Sequence, residues 1–155
     1  MGGEPPVRIG LRVDDVGAAL ELYERFGFVP VGVVPAPGGR PVMAIARRGP
    51  LQLLVDALEG LPFPDTERER HTVAGPRGLG VVIGIAADAP DDVDELTRRA
   101  AAAGCVVGAG PADAPWGERY AEVVDPYGYT WKFFRVFDNG SGDGLDAARE
   151  HFRGA

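Results

Sequence analysis

The sequence is poor in cysteine, in positive charge and in long apolar runs, and each shortage excludes a class of protein. A single cysteine in 155 residues cannot form an internal disulfide, which indicates a reducing compartment. The 16 basic and 23 acidic residues give a net charge of −7, whereas a nucleic-acid binder needs clustered positive charge to replace phosphate counterions. No apolar run approaches the roughly 20 residues that span a bilayer. We therefore expect neither a nucleic-acid partner nor a membrane partner.

What the sequence contains favours a folded chain of many short elements. Hydrophobic residues make up 45% and charged residues 25%, which is ample material for a core. The 23 glycines and 14 prolines are therefore interpreted as turns rather than as signs of disorder. Residues 1–6 have neither the basic nor the apolar region of a secretory signal. Together with the lone Cys105, this predicts a cytoplasmic protein.

The first part of the chain predicts one βαβββ unit. Apolar residues alternate with polar or small ones over residues 7–13, the period-two pattern of a half-buried strand. Asp14-Asp15 offers an N-cap to a helix that continues to about Phe26, and Gly27 is a suitable C-cap. Three strands then follow, at residues 28–34, 41–47 and 51–57.

The same pattern recurs further along, so the chain contains an internal repeat. The matching segments are Val7-x-Ile9-Gly10-Leu11-x-x-Asp14 and Val81-x-Ile83-Gly84-Ile85-x-x-Asp88, separated by 88 − 14 = 74 positions. Three further strands are predicted near residues 105–109, 118–124 and 129–137. The predicted organisation is a first module (1–57), a linker or lid (58–78), a second module (79–137) and a flexible tail with a short helix (138–155).

The second module carries the most specific motif of the sequence. Asp125-Pro126-Tyr127-Gly128 suits a tight hairpin, because aspartate bonds its own turn, proline fixes φ and glycine accepts a positive φ. Pro115-Trp116-Gly117 precedes the strand that leads into it. With the duplicated unit, these motifs closely resemble the vicinal-oxygen-chelate superfamily over residues 7–137. That group includes glyoxalase I, extradiol dioxygenases, fosfomycin-resistance enzymes and bleomycin-resistance proteins.

The resemblance implies an α+β fold in which two βαβββ modules form a curved mixed sheet around a cup. One face of the sheet packs on helices and the other faces the cup, so strand alternation predicts which side chains point inward. The candidate ligand-binding residues are Arg8, Arg12, Trp116, Tyr120, Glu122 and Lys132. Glu122 is the only acid among them, which predicts a locally positive cup.

The metalloenzymes of this superfamily hold a divalent cation through side chains at fixed strand positions. The residues aligned with those positions are Arg8 and its repeat Gly80 in the first strands, Lys132 in the last strand, and Leu53 in the corresponding strand of the first module. None of them binds a cation at neutral pH. The two histidines, His71 and His151, lie outside the predicted cup strands. We therefore expect no metal and no other cofactor.

Retention of this fold without the metal ligands is similar to the bleomycin-resistance branch, whose members are metal-free dimers that sequester a drug. The first hypothesis is therefore a homodimeric small-molecule-binding protein that sequesters an antibiotic or another secondary metabolite. The second is a metal-independent isomerase, cyclase or lyase of secondary metabolism, with Glu122 as the candidate acid or base. The third is a metal-dependent glyoxalase or dioxygenase.

Each candidate side chain also has a purely structural alternative. Arg8 and Lys132 could hold an anionic group of a ligand, or form an internal ion network with Glu122 or another acid. Trp116 and Tyr120 could stack on a flat ligand, or Trp116 could pack on the partner module. Glu122 could act as a general base, or serve only as a salt-bridge partner.

Overall fold

The computed structural model describes residues 3–35, 38–88, 90–137 and 145–154. The chain divides into two compact units, Met1–Arg77 and Gly78–Ala155, and each has its own four-stranded mixed sheet with helices. The predicted α+β class is therefore confirmed. No helix in the described ranges is both long enough and apolar enough to cross a bilayer.

The first unit has the predicted βαβββ order followed by a second helix. Its elements are β1 (Val7–Val13), α1 (Val16–Arg25), β2 (Val29–Pro35), β3 (Pro41–Arg48), β4 (Leu51–Ala57) and α2 (Glu67–Ala74). The strand order is β1-β4-β3-β2, with β1 parallel to β4 and the other pairs antiparallel. Alternate residues such as Leu11, Val13, Leu53 and Val55 are buried on the face that packs against α1.

Helix α1 forms where its capping residues predict it. The Asp15 carboxylate accepts a hydrogen bond from the backbone N–H of Ala18 at 3.0 Å, which satisfies one of the free donors of the first turn. The helix ends before Gly27, whose φ of 91° favours glycine. Tyr23 and Phe26 are fully buried at its inner side. The helix limits predicted from the sequence are therefore confirmed.

The second unit repeats this architecture. Its elements are β5 (Val82–Ala86), α3 (Pro90–Ala102), β6 (Val106–Ala114), β7 (Glu118–Val124), β8 (Thr130–Val136) and α4 (Leu145–Arg153). The strand order is β5-β8-β7-β6, with β5 parallel to β8. Trp131 and Phe133 are fully buried on the side of α3. Cys105 is also buried, and burial raises the pKa of its thiol to about 12, so it is a neutral core side chain.

Strand β6 is longer than predicted. The sequence predicts a strand near residues 105–109, yet the strand continues through Gly110-Pro111 to Ala114. This strand lies at the edge of the sheet, and its pairing with β7 shifts register between Ala109 and Ala112. Proline is tolerated in an edge strand and at a bulge, because the donor that it lacks is not needed there.

The segment predicted as a linker or lid, residues 58–78, contains helix α2. The hydroxyl of Thr66 accepts a hydrogen bond from the backbone N–H of Glu69 at 3.0 Å, so Thr66 is the N-cap. Thr66 and Glu69 have the Thr-x-x-Glu spacing of a capping box, which is the sequence signal for this helix. At the other end of the chain, α4 occupies the residues expected for a short helix. The predicted flexible stretch at 138–144 lies outside the described residues.

The hairpin between β7 and β8 is organised by one buried carboxylate. Oδ1 of Asp125 accepts hydrogen bonds from the backbone N–H groups of Tyr127 at 2.9 Å and Tyr129 at 3.0 Å. Its Oδ2 accepts a hydrogen bond from the indole Nε1 of Trp131 at 2.9 Å. Asp125 is only 4% exposed. The predicted turn is therefore confirmed, and its aspartate also orients the largest fully buried side chain of the protein.

Helix α2 is fastened to the first sheet by Arg12 of β1. The guanidinium donates to the carbonyl oxygens of Ala57 and Leu58, both at 3.0 Å, and to the carboxylate of Glu69 at 2.9 Å. The ring centroid of Phe63 lies 3.9 Å from the guanidinium carbon. Arg12 therefore connects β1 with the end of β4 and with α2.

Replacing Asp125 by asparagine should lower the free energy of unfolding by about 1.5–3 kcal/mol, the range for hydrogen bonds to a charged group. In asparagine one of the two carboxylate oxygens is replaced by an NH2 group, which cannot accept a hydrogen bond. Depending on its orientation, either the two backbone N–H groups or the indole N–H of Trp131 then loses its acceptor. Urea unfolding followed by circular dichroism measures the loss. Asp88→Asn, at an exposed position of the same unit, should change the free energy by less than about 0.5 kcal/mol. Equal losses in the two variants would contradict the assignment.

Replacing Arg12 by glutamine should make the backbone amides of α2 exchange with solvent about tenfold faster, because the charge-assisted bonds that hold the helix are lost. Hydrogen exchange followed by mass spectrometry tests this, with Arg68→Gln as the control because Arg68 lies on α2 and is exposed. The hydrogen bond from Arg12 also lowers the pKa of Glu69. Protection of α2 should therefore be present above the ordinary glutamate pKa of about 4.3 and be lost as the pH falls through the lowered value. If the amides of α2 exchanged at the same rate in Arg12→Gln, Arg12 would not be what holds the helix.

Candidate functional site

Four candidate residues of the second unit lie together on one face of its sheet. We call the face opposite the helix, α1 in the first unit and α3 in the second, the distal face. In the pairing of β7 with β8, Glu122 is opposite Lys132 and Tyr120 is opposite Phe134. Trp116 lies in the turn before β7, with its ring centroid 6.0 Å from that of Tyr120. The structure therefore brings Trp116, Tyr120, Glu122 and Lys132 together and adds Phe134.

Lys132 lies at the centre of these side chains. Its ammonium nitrogen is 5.3 Å from the ring centroid of Tyr120, and 6.0 Å from those of Trp116 and Phe134. A cation within about 6 Å of an aromatic face is attracted by the ring quadrupole. We call the three rings, Trp116, Tyr120 and Phe134, the aromatic cluster. The three rings therefore surround the ammonium group of Lys132.

The partner of Lys132 is Glu118, which the sequence analysis did not assign to this face. The ammonium forms a salt bridge and hydrogen bond with the carboxylate of Glu118, a residue that is 9% exposed. The expectation that Glu122 is the only acid here was therefore wrong. Glu118 is four positions before Glu122 on the same strand, so alternation itself directs both to one face.

Glu122 differs from Lys132 and Glu118 because its side chain is not bonded to another described residue of this face. It is half-buried and opposite Lys132 in the strand register. Within the described residues its carboxylate has no hydrogen bond and no ion pair, since Lys132 is bonded to Glu118. A carboxylate in this state can accept a hydrogen bond from a ligand or accept a proton.

Helix α4 reaches the aromatic cluster through one side chain. The imidazole of His151 lies edge-on to Trp116, with ring centroids 6.3 Å apart, and Phe152 packs on His151 at 5.1 Å. From the sequence alone, His151 is expected only in the tail. The contact adds a second aromatic wall beside Trp116.

In the first unit, Arg8 and Arg12 lie on the distal face, but they differ in the number of hydrogen bonds that their side chains make. Arg12 uses its guanidinium to hold α2, as described above. Arg8 is exposed and donates one hydrogen bond, from Nε to Oε1 of Gln52 at 2.6 Å. Asp56 lies opposite Arg12, and burial raises the pKa of its carboxyl while Arg12 opposes that rise. Gln52 is a buried polar residue that the sequence analysis did not select, although it is the only glutamine in the chain.

The aligned metal-ligand positions need two corrections of register. Lys132 pairs with Gly84 on β5, whereas Gly10, the repeat of Gly84, pairs with Leu54 on β4. The counterpart of Lys132 is therefore Leu54, not Leu53, which is buried on the side of α1. The one-residue error arose because the turn before β4 is shorter than the Asp125 hairpin, and a slip of one residue reverses the face.

The first-strand position of the second unit also moves. Gly80 precedes β5 and so is not on the strand. In the first unit Arg8 is opposite Gln52, and the equivalent pair of the second unit is Val82 opposite Thr130. The counterpart of Arg8 is therefore Val82. Arginine, valine, leucine and lysine side chains do not supply the lone pairs that a divalent cation requires. No group of three or more histidine, cysteine, aspartate or glutamate side chains suited to a metal occurs in the described ranges. The residues present therefore do not fit the metal of the metalloenzymes.

A separate cavity of about 670 Å³ lies in the first unit beside the start of α1. Asp14, Asp15 and Glu59 line it together with Arg40 and apolar side chains such as Val42. None of the candidate ligand-binding residues lines this cavity. Its charged residues are exposed.

Comparison with known proteins gives the family. Residues 6–133 match the family model described as Glyoxalase/Bleomycin resistance protein/Dioxygenase superfamily. The chain is 30% identical over 146 residues to an uncharacterized protein of Mycobacterium bovis, covering 94% of this chain and 92% of that protein.

Two solved structures have the same fold. A glyoxalase/bleomycin resistance protein/dioxygenase family enzyme from Burkholderia phytofirmans PsJN superposes with a TM-score of 0.66 at 19% identity, covering 84% of this chain and 97% of that one. TioX from Micromonospora sp. ML1 superposes with a TM-score of 0.61 at 26% identity, covering 84% and 98%. The family predicted from the sequence motifs is confirmed: the chain belongs to the glyoxalase/bleomycin resistance protein/dioxygenase superfamily.

Proposed function

We propose that this protein binds a flat organic small molecule on the distal face of its second sheet and releases it unchanged. The observation that carries the proposal is the aromatic cluster around the Lys132–Glu118 ion pair. Aromatic rings offer a large contact area at a low cost in conformational entropy, and their faces suit a flat ligand. Sequestration of an antibiotic or another secondary metabolite is the function that fits such a face.

The charges on this face favour a neutral or cationic ligand. Lys132 contributes one positive charge, and Glu118 and Glu122 contribute two negative charges, so the formal sum is 1 − 2 = −1. A ligand cation would gain from the unpaired carboxylate of Glu122 and from the ring faces. This replaces the sequence-based expectation of a positive cup, which omitted Glu118.

Binding on this face requires no metal ion. The aromatic cluster supplies contact area, and the carboxylate of Glu122 supplies one hydrogen-bond acceptor. These groups bind and orient a ligand on their own.

A second candidate function is proton transfer by Glu122. The observation that favours it is the absence, within the described residues, of any hydrogen bond or ion pair to this half-buried carboxylate. A general base needs such a free lone pair next to the bound substrate. A metal-independent isomerase, cyclase or lyase would use Glu122 in this way, and would return an altered molecule.

The experiment that tests the proposal compares binding with turnover. Planar aromatic compounds in cationic, neutral and anionic series are screened by quenching of tryptophan fluorescence, and each binder is recovered and analysed by mass spectrometry. We expect cationic or neutral binders that return unchanged. A product whose formation stops in Glu122→Gln would favour the enzyme instead.

Tyr120→Ala should weaken the best binder of that screen by about tenfold or more, because an aromatic contact of about 1–3 kcal/mol per stacked ring is removed. Isothermal titration calorimetry measures the change in Kd. Phe137→Ala removes an exposed ring of the same unit outside the aromatic cluster, and should alter Kd by less than twofold. If Phe137→Ala weakened binding as much as Tyr120→Ala, the ligand would not be on this face.

Lys132→Met should lower the free energy of unfolding by about 1–2 kcal/mol, because Glu118 is left nearly buried without its cation. Adding Glu118→Gln to this variant removes the unpaired charge and should restore most of the loss. Arg99→Met, which breaks an exposed ion pair with Glu95, should cost less than about 0.5 kcal/mol. A double variant no more stable than Lys132→Met would show that the pair does not act as a unit. Urea unfolding of the four proteins gives the comparison.

A further inference from the structure

Three polar side chains form a continuous row across the first sheet. Arg8 of β1 is opposite Gln52 of β4, and Gln52 is opposite Arg47 of β3. Residues directly opposite each other in adjacent strands present their side chains on the same face, with Cβ atoms about 5 Å apart. The row therefore places a buried amide between two exposed guanidinium groups on the distal face.

The amide in the middle of the row has an unused donor. Gln52 is 7% exposed, and its Oε1 accepts a hydrogen bond from Nε of Arg8 at 2.6 Å. Because arginine can only donate, this bond fixes the oxygen toward Arg8 and directs the Nε2 hydrogens elsewhere. Within the described residues Nε2 donates to nothing, and it is not among the atoms sealed from solvent without a partner. Nε2 therefore reaches solvent, and its two hydrogens are available to a ligand.

The two arginines of the row also keep unused donors. Arg8 makes one hydrogen bond through Nε, so its terminal nitrogens have no partner in the described residues. The side chain of Arg47 has no hydrogen bond or ion pair in the same residues. This differs from Arg12, which uses its guanidinium on two carbonyl oxygens and a carboxylate.

Among the residues that the structure describes, no carboxylate forms an ion pair with a side chain of the row. Asp56 is the acidic residue on the paired strands of this face, and it lies opposite Arg12 and Met43, four positions along β4 from Gln52. The unused polar atoms of the row are therefore all donors: the terminal nitrogens of Arg8, the guanidinium nitrogens of Arg47 and Nε2 of Gln52. Such a set is complementary to an oxygen anion, which accepts several hydrogen bonds at once.

We infer that Arg8, Gln52 and Arg47 form a binding site for an oxyanion, either a carboxylate or a phosphate group. The inference concerns the first unit and is independent of the function proposed for the second. Arg8 occupies one of the positions that align with the metal ligands of the metalloenzymes. An arginine at that position excludes a metal cation and also supplies donors for an anion. The ligand group that this face takes is an anion in place of a metal.

Nuclear magnetic resonance of the 15N-labelled full-length protein tests the site directly. The chain has one glutamine and one asparagine, Gln52 and Asn139, so only two side-chain amide pairs appear and Gln52→Leu assigns them. Sodium phosphate and sodium acetate are titrated separately against sodium chloride of equal ionic strength. We expect saturable shifts of the Gln52 pair with both oxyanions, and the lower Kd identifies which group the site prefers.

The variants separate specific binding from general charge effects. Arg8→Gln and Arg47→Gln should each raise Kd about tenfold, as expected for loss of a charge-assisted contact. Arg25→Gln changes the net charge equally, at an exposed position on α1, and should change Kd by less than twofold. Trp116→Ala alters the aromatic cluster of the second unit and should leave the Kd for phosphate and acetate unchanged. The anion site and the proposed ligand site of the second unit are therefore tested separately. Shifts that match those in sodium chloride, or equal effects of all three arginine variants, would overturn the inference. The spectra also report whether each variant is folded.

Discussion

The aromatic cluster takes its arrangement from the carboxylate of Asp125. That carboxylate binds two backbone N–H groups of the turn and the indole of Trp131, which fixes where β8 begins relative to β7. The register that follows sets Tyr120 beside Phe134 and Glu122 beside Lys132. A shift of one residue would send every one of these side chains to the side of α3, so a structural hydrogen-bond network determines a surface that it does not touch.

The parts of the structure that follow from local chemistry could be predicted from the sequence. Strand β7, the N-cap of α1 and the Asp125 turn depend on neighbouring residues, and alternation assigned the faces of Lys132 and Tyr120. Contacts between residues distant in sequence could not be predicted. Gln52 is 44 positions from Arg8, and Glu69 is 57 positions from Arg12. Their partners depend on which strands and helices are adjacent, and one sequence does not contain that information.

The three cations expected in the cup have three different environments. Arg12 is used within the protein to hold α2, Lys132 is neutralised by Glu118, and Arg8 retains unpaired donors. A count of charges on a face therefore says little about the ligand until the partners are known, because a paired charge attracts a ligand weakly. The acidic character of one sheet face and the basic character of the other follow from these pairings. Homodimer formation and a cytoplasmic location stay predictions.

The prolines of the outer strands have a consequence for how the protein avoids aggregation. Strand β2 exposes Val29, Val31 and Val33 at the edge of its sheet, and apolar edge strands are templates for pairing with other chains. Pro30 and Pro35 interrupt that strand, and Pro111 interrupts β6 at the matching edge of the second sheet. Each proline removes a backbone donor that an added strand would need. Extension of either sheet by a further strand at these edges is therefore disfavoured.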